Sequence, residues 1–257
     1  MTVPALTQTT ERQKAWALGG AGALIVALVF ILVPPMAQDP AYHHFSDLRG
    51  WWGIANFGDV VSNGAFLAAG LYGLWGLRRR RDETVYIPLT VYFAGVMLVA
   101  PGSAYYHWAP DNATLFWDRL PMAVAFMGVF SAVIAERIDA KIGVRYVLPV
   151  LVVLGLASVL YWRQSELAGV GDLRAYALVQ FLPMIMLPAM MGMFDSDRAA
   201  IGWRAIGAAF VFYALAKVAE YFDEQVLQLL GGAVSGHTLK HVLAAMSAVA
   251  LGMNLRR

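Results

Sequence analysis

Five histidines occur in the chain, and three of them form a pattern that could do chemistry. His237 and His241 stand at i, i+4, a spacing that stacks two imidazoles on one face of a helix. His107 closes an earlier apolar run that alternating topology ends on the same side. Three neutral imidazoles with a fourth position left open for water make a catalytic zinc site. The chain has no cysteine, so any metal must use His, Asp or Glu. Ser103 lies one turn before His107 on the same face, and Asp118 follows eleven residues after it.

Each of these residues also has a plainer use. A histidine at a membrane interface hydrogen-bonds to headgroups or loops, and a serine in a membrane helix bonds back to a carbonyl one turn earlier. Pro101 has already weakened that helix. Asp118, read as opening the fourth span, could serve as a helix N-terminal carboxylate or pair with Arg119. Polar groups within spans are expensive and usually functional, so their convergence favours a site over separate plain roles. Glu220 and Asp223 end the seventh span with Lys217 one turn inside, and Lys217 with Glu220 at i, i+3 reads as a buried structural pair. His43 and His44 lie in a polar loop without a spaced partner and read as solvated. Haem ligation by paired histidines is a weaker alternative, because His237 and His241 stack on a single helix.

The elements that must position these residues are membrane spans. Of 257 residues, 60% are hydrophobic and 14% charged, which excludes a water-soluble globule. Uncharged apolar runs place eight helices at 15–36, 59–77, 85–107, 118–135, 145–162, 174–194, 201–222 and 237–255. Runs such as Val147 to Trp162 are apolar on nearly every side, which excludes the alternation of a membrane barrel. The fold class is therefore all-α, a polytopic membrane helix bundle. The first run is too long for a signal peptide and reads as a retained transmembrane helix. Gln38 to Asn56 is a polar loop that lies along the interface with Trp51 and Trp52.

The basic residues give the orientation. Arg12, Lys14, Arg78 to Arg81, Arg137, Lys141, Arg145, Arg198, Arg204, Arg256 and Arg257 fall on one side, thirteen of nineteen. Only Arg49, Arg119, Arg163, Arg174 and Lys240 fall on the other, and Lys217 lies inside a helix. The excess marks the cytoplasmic face, so both termini are expected there and the histidines on the non-cytoplasmic side. The net charge of +2 reports topology and makes no case for nucleic acid as a partner.

Ser103-x-x-x-His107, Asp118 and His237-x-x-x-His241 together resemble the signature of the alkaline ceramidase family, among the seven-helix membrane hydrolases that include the adiponectin and progestin receptors. The segment Ile54 to Asn63 resembles the opening of the first core helix of ceramidases, and Ser235 to His241 its final-helix motif. The resemblance runs from about residue 47 to the C-terminus and is to a bacterial-type member, which puts the chain in a plasma (inner) membrane. It implies a seven-helix hydrolase core over 59–257, preceded by an extra N-terminal transmembrane helix within 1–36 and an interfacial loop over 37–58. It implies zinc on His107, His237 and His241, with Ser103 and Asp118 as catalytic residues. Eukaryotic members of that family also hold a calcium ion near the first core helix with an acidic cluster, and this chain keeps Asp47, Asn56 and Asp59 there without the acidic density. The implied reaction is hydrolysis of the amide bond of ceramide or a related N-acyl sphingolipid to a sphingoid base and a fatty acid. Physically, zinc supplies Lewis acidity and a water acidified to near neutrality. Asp118 would take and return the proton, and Ser103 would donate to the developing oxyanion. The alternative within the same superfamily is a receptor-like or channel-like protein whose zinc is structural.

Overall fold

The computed structural model describes residues 5–194 and 200–256, so Arg198 and Arg257 of the basic tally lie outside the described residues. Among them the helices are α1 (Ala5–Leu32), α2 (Phe57–Val61), α3 (Gly64–Leu77), α4 (Tyr86–Trp108), α5 (Asn112–Arg137), α6 (Ala140–Ile142), α7 (Leu148–Leu167), α8 (Arg174–Met193), α9 (Trp203–Tyr221), α10 (Asp223–Leu229) and α11 (Gly236–Gly252). A single π-turn, Gly143–Val147, carries α6 into α7, and no strand is present among the described residues. The chain is an all-α polytopic bundle, as the apolar runs require.

Six of these segments are each long and apolar enough to cross a membrane, or seven if α9 and α10, which meet at 85°, count as one broken span. The eighth expected span is α11, whose 17 residues sit at the short end of the spanning range. The expected span 59–77 divides at Ser62 and Asn63 into α2 and α3. The expected span at 118–135 begins earlier, at Asn112, because Asp111 supplies a cap that an apolar-run reading overlooks. The Asp111 side chain accepts from Thr114 N at 2.7 Å while its own N–H donates to Thr114 Oγ at 3.1 Å. Those hydrogen bonds hold the Asp111 carboxyl below its ordinary pKa.

The core is built from small residues that let helices meet backbone to backbone. A Cβ on Gly102 in α4 would overlap the carbonyl oxygen of Trp117 in α5, so only glycine permits this approach. Gly95 meets Ala125, and Gly128 meets Tyr92, along the same seam. The buried interior collects Leu89, Phe93, Val129, Ala132, Leu187, Met190, Ala205, Ala209 and Leu251, while Val150, Val153, Leu154, Val211 and Leu215 face outward, as lipid-facing positions would. α1 touches this bundle through Leu18 and Ala15, with Gly22 beside Met186 of α8 and Lys14 donating to the Met193 carbonyl at 3.1 Å, while most of its surface is exposed. Its C-terminal end is held by Arg174, which donates to the carbonyls of Val33 at 2.8 Å and Phe30 at 3.2 Å. Arg174 is in turn bound to Asp172 at 2.7 Å, and Tyr161 donates to the same carboxylate at 2.7 Å.

Candidate metal centre

α11 projects His237 and His241 to the same side, and α4 delivers His107 between them. The three ring centroids lie 4.7 Å (His107 to His237), 4.7 Å (His107 to His241) and 5.0 Å (His237 to His241) apart. One ligand nitrogen from each lies within 4.8 Å of the others, and all three side chains are buried. Among the described residues this is the one group of three or more His, Asp or Glu with that geometry. It could hold a metal ion.

One of the three rings is held by a hydrogen bond that fixes its free nitrogen. Ser62 donates its hydroxyl hydrogen to the Asp59 carbonyl at 3.1 Å, so toward His241 it can only accept, from Nδ1–H at 2.8 Å. That assigns the proton of His241 to Nδ1 and leaves Nε2, buried and without a hydrogen-bond partner, as a free lone pair. His107 Nδ1 is likewise buried and unmatched, while Asn56 Nδ2 donates to the His107 carbonyl at 2.8 Å. Buried imidazole nitrogens without partners cost free energy unless something fills the space between them, and a cation does so. Phe45 packs on the rings of His107 and His237 at 4.7 and 4.6 Å and supplies an apolar cover.

The position of His237 follows from the start of α11. Ser235 caps the helix by accepting from Thr238 N at 2.9 Å, and Asp223 Oδ1 accepts from His237 N at 2.7 Å. The other Asp223 oxygen accepts from Ser46 N at 2.9 Å, so one carboxylate ties loop, α10 and α11 together. A Cβ on Gly236 would overlap the Ala219 carbonyl, which explains why the chain turns here on glycine.

Ser103 of α4 and Asp118 of α5 are both buried at the α4–α5 seam, where the backbones of Gly102 and Asp118 approach closely. Both line a cavity of about 360 Å³, together with His241, Arg119, Lys217, Lys240 and mostly apolar side chains from Tyr92, Val96, Phe126, Ala244 and Ala248. The two plain uses weighed for Asp118 therefore fail. The helix starts six residues earlier under its own cap, and the described residues show no ion pair between Asp118 and Arg119. Arg119 lies two turns inside α5, and Lys240 lies within the first turn and a half of α11.

Lys217 and Glu220 do pair, at 2.7 Å, but Lys240 joins them from α11 at 2.7 Å to the other carboxylate oxygen and stands 3.1 Å from His237 Nε2. His43 is a correction of a different kind. Read as solvated, it is half-buried and bridges Tyr106 Oη at 2.9 Å and Asn112 Oδ1 at 3.0 Å, because the 37–58 segment turns one face inward over α4 and α5. His44 is exposed, as expected.

Of the three residues expected near a calcium ion, Asp47 and Asn56 have partners within the protein, and Asp59 has them at one oxygen. Arg49 takes both oxygens of Asp47 at 2.7 and 2.6 Å and holds that carboxyl below its ordinary pKa. Asn56 donates to the His107 carbonyl, and Asp59 Oδ1 accepts from Thr238 and Ser235 at 2.7 and 3.2 Å, while Asp59 Oδ2 is buried without a hydrogen-bond partner. Sequence reasoning missed Ser62 and Phe45 and the positioning roles of Asn56 and Asp223. For Ser62 and Asn56 the signal was their place in the Ile54 to Asn63 segment.

Fold and site together define an integral membrane protein whose helices enclose a buried triad of histidines able to hold a metal at the edge of an apolar cavity. A family model for ceramidases matches residues 51–254, and the chain belongs to the ceramidase family. Membership implies a hydrolase acting on a lipid. A comparison with curated proteins found no match.

Proposed function

We propose that this protein is a zinc-dependent amidohydrolase that cleaves ceramide or a related N-acyl sphingolipid into a sphingoid base and a fatty acid. What carries the reading is a buried cluster of three imidazoles beside a cavity, largely apolar, whose wall also presents Ser103 and Asp118, in a chain of the ceramidase family. Three neutral nitrogens with no thiolate suit zinc with an open position. Bound there, zinc would supply Lewis acidity and acidify a water to a pKa of about 7.

The protein's own residues would do the rest. Asp118 accepts the proton of the attacking water and returns it to the departing amine. Ser103 donates to the oxygen that gains charge, a contribution of roughly 3 kcal/mol in comparable sites. The apolar walls hold hydrocarbon and exclude bulk water, so the substrate enters from the bilayer. The catalytic core spans 59–257, α1 is an addition to it, and 37–58 runs along the interface with its inner face over the site. Both termini are cytoplasmic and the site lies toward the opposite face, in keeping with thirteen basic residues on one side.

The deciding experiment pairs metal analysis of the purified full-length protein with release of fatty acid from a fluorescent N-acyl sphingolipid. Expected are one zinc per chain, turnover abolished by a chelator, and recovery on adding zinc back. One zinc per chain without turnover across a panel of N-acyl lipids would replace this reading with a receptor-like one. Full metal occupancy in the His237→Ala, His241→Ala double variant would remove the site assignment.

A further inference from the structure

Arg119 is an unusual residue to find in the wall of a lipid cavity. It is 6% exposed, two turns inside α5, and next in sequence to Asp118. Its guanidinium is stacked between rings, 4.1 Å from Trp162, 4.8 Å from Tyr176 and 5.9 Å from Tyr42. Nη2 donates to the neutral side chain of Gln38 at 2.5 Å. Nη1 is buried with no hydrogen-bond partner, and among the described residues no carboxylate lies within ion-pair distance of Arg119. A guanidinium keeps its charge at every relevant pH, so this is a permanent buried cation with one edge unused.

The surroundings do not neutralise it. The cavity is lined by three cations, Arg119, Lys217 and Lys240, and by one acid, Asp118. Glu220 pairs with both lysines from behind. Rings offer the guanidinium faces only, and an unmatched charged donor in an apolar setting costs several kcal/mol unless an acceptor arrives. An acidic oxygen pair is the acceptor that fits a guanidinium edge.

The cavity also has a direction. Met36, Tyr42 and Leu173, from segments between helices, line the end where Arg119 sits, while Phe126 lies two turns further along α5, about 10 Å deeper. Hydrocarbon belongs at the deep end and a polar head at the Arg119 end. In an N-acyl sphingolipid carrying a 1-phosphate the acidic oxygens are five bonds from the amide nitrogen, so head group and amide can be held by different side chains of one cavity wall.

We propose that Arg119 is the head-group anchor of this cavity, and that the lipid it selects carries an acidic head group of the phosphate or sulfonate class beside its amide. This rests on the amidohydrolase reading for which bond is cleaved, but not for how the head group is held. The same guanidinium chemistry could instead serve the carboxylate of the released fatty acid, and the experiment separates the two.

The metal-loaded, full-length protein in phosphatidylcholine nanodiscs is titrated with fluorescent sphingolipid analogues whose amide is replaced by a hydrolysis-resistant urea. One analogue ends in a 1-hydroxyl and the other in a 1-phosphate, and a fluorescent fatty acid is the third probe. The phosphate analogue is expected to bind at least tenfold more tightly than the hydroxyl one. Arg119→Gln should bring that ratio within twofold and leave fatty-acid binding unchanged, and Arg119→Lys should restore part of the ratio. Equal binding of both analogues by the wild-type protein overturns the proposal without any variant. A preference that survives in Arg119→Gln overturns it too, as does a fatty-acid affinity that falls with Arg119→Gln while the ratio stands. Hydrolysis is read separately, so a preserved preference without turnover would fail only the amidohydrolase reading.

Discussion

Asp118 can be tested apart from every helix-capping effect, because the cap of its helix is Asp111. Asp118→Asn keeps the volume and removes the proton acceptor, so turnover should fall by about 10² or more while zinc content and Tm barely move. Asp111→Ala should do the reverse, costing about 1 kcal/mol of stability, read by thermal denaturation, with turnover nearly intact. Near-wild-type turnover by Asp118→Asn would leave the water activated by metal alone. Ser62→Ala tests the orientation of His241: zinc affinity should weaken by roughly 10- to 100-fold in a competitive chelator titration, with Tm little changed. Part of the histidine cluster was legible in the sequence for a physical reason. An i, i+4 pair is fixed by one helix, so His237 and His241 needed no tertiary information. Ser62 and Asn56 act on partners 179 and 51 residues away, distances that periodicity cannot read. The ring cage around Arg119 was illegible for the same reason, since it draws on a loop and two other helices.

Among the elements, the α4–α5 seam sets how near Ser103 and Asp118 stand to each other. Gly102→Ala would push α5 away at Trp117, so both turnover and Tm should drop. Gly207→Ala in α9, where nothing lies within 4 Å of the added methyl, is the control and should leave both within error or raise Tm slightly. Equal Tm losses in the two variants would argue against a close-contact role for Gly102. A second prediction concerns the clamp on α1. Hydrogen bonds from Arg174, and then from Tyr161, lower the Asp172 carboxyl to a pKa of about 2. A carboxyl lowered on folding adds stability above its unfolded pKa of about 4, and that contribution disappears as pH falls through about 2. The Tm deficit of Asp172→Ala should therefore be full at pH 5 and shrink steadily toward pH 2. Helix existence and order could be read from apolar runs, whereas the break at Ser62 and the early start of α5 could not, because both are made by hydrogen bonds of polar residues inside or beside a span.

For the whole molecule, a chain without cysteine invites single-cysteine mapping of its orientation. A cysteine at Val170, exposed between α7 and α8, should react with an impermeant maleimide added to intact cells, and one at Asp82 only after permeabilisation. The opposite pattern would invert the topology inferred from the basic residues. One arrangement described above reaches further. His107, Ser103 and Asp118 belong to the tightly seamed pair α4 and α5, whereas His237 and His241 belong to α11, packed on α9. A cation gripped by all three imidazoles is then a rivet between two halves of the protein, and its affinity is also a folding free energy. By mass action, a free ion held at about a thousand times its Kd adds roughly 4 kcal/mol to the folded state. Metal supply would thus set how long the protein survives in the membrane as well as how fast it works, and stripping the ion should lower Tm even in Asp118→Asn, where little turnover is left to lose.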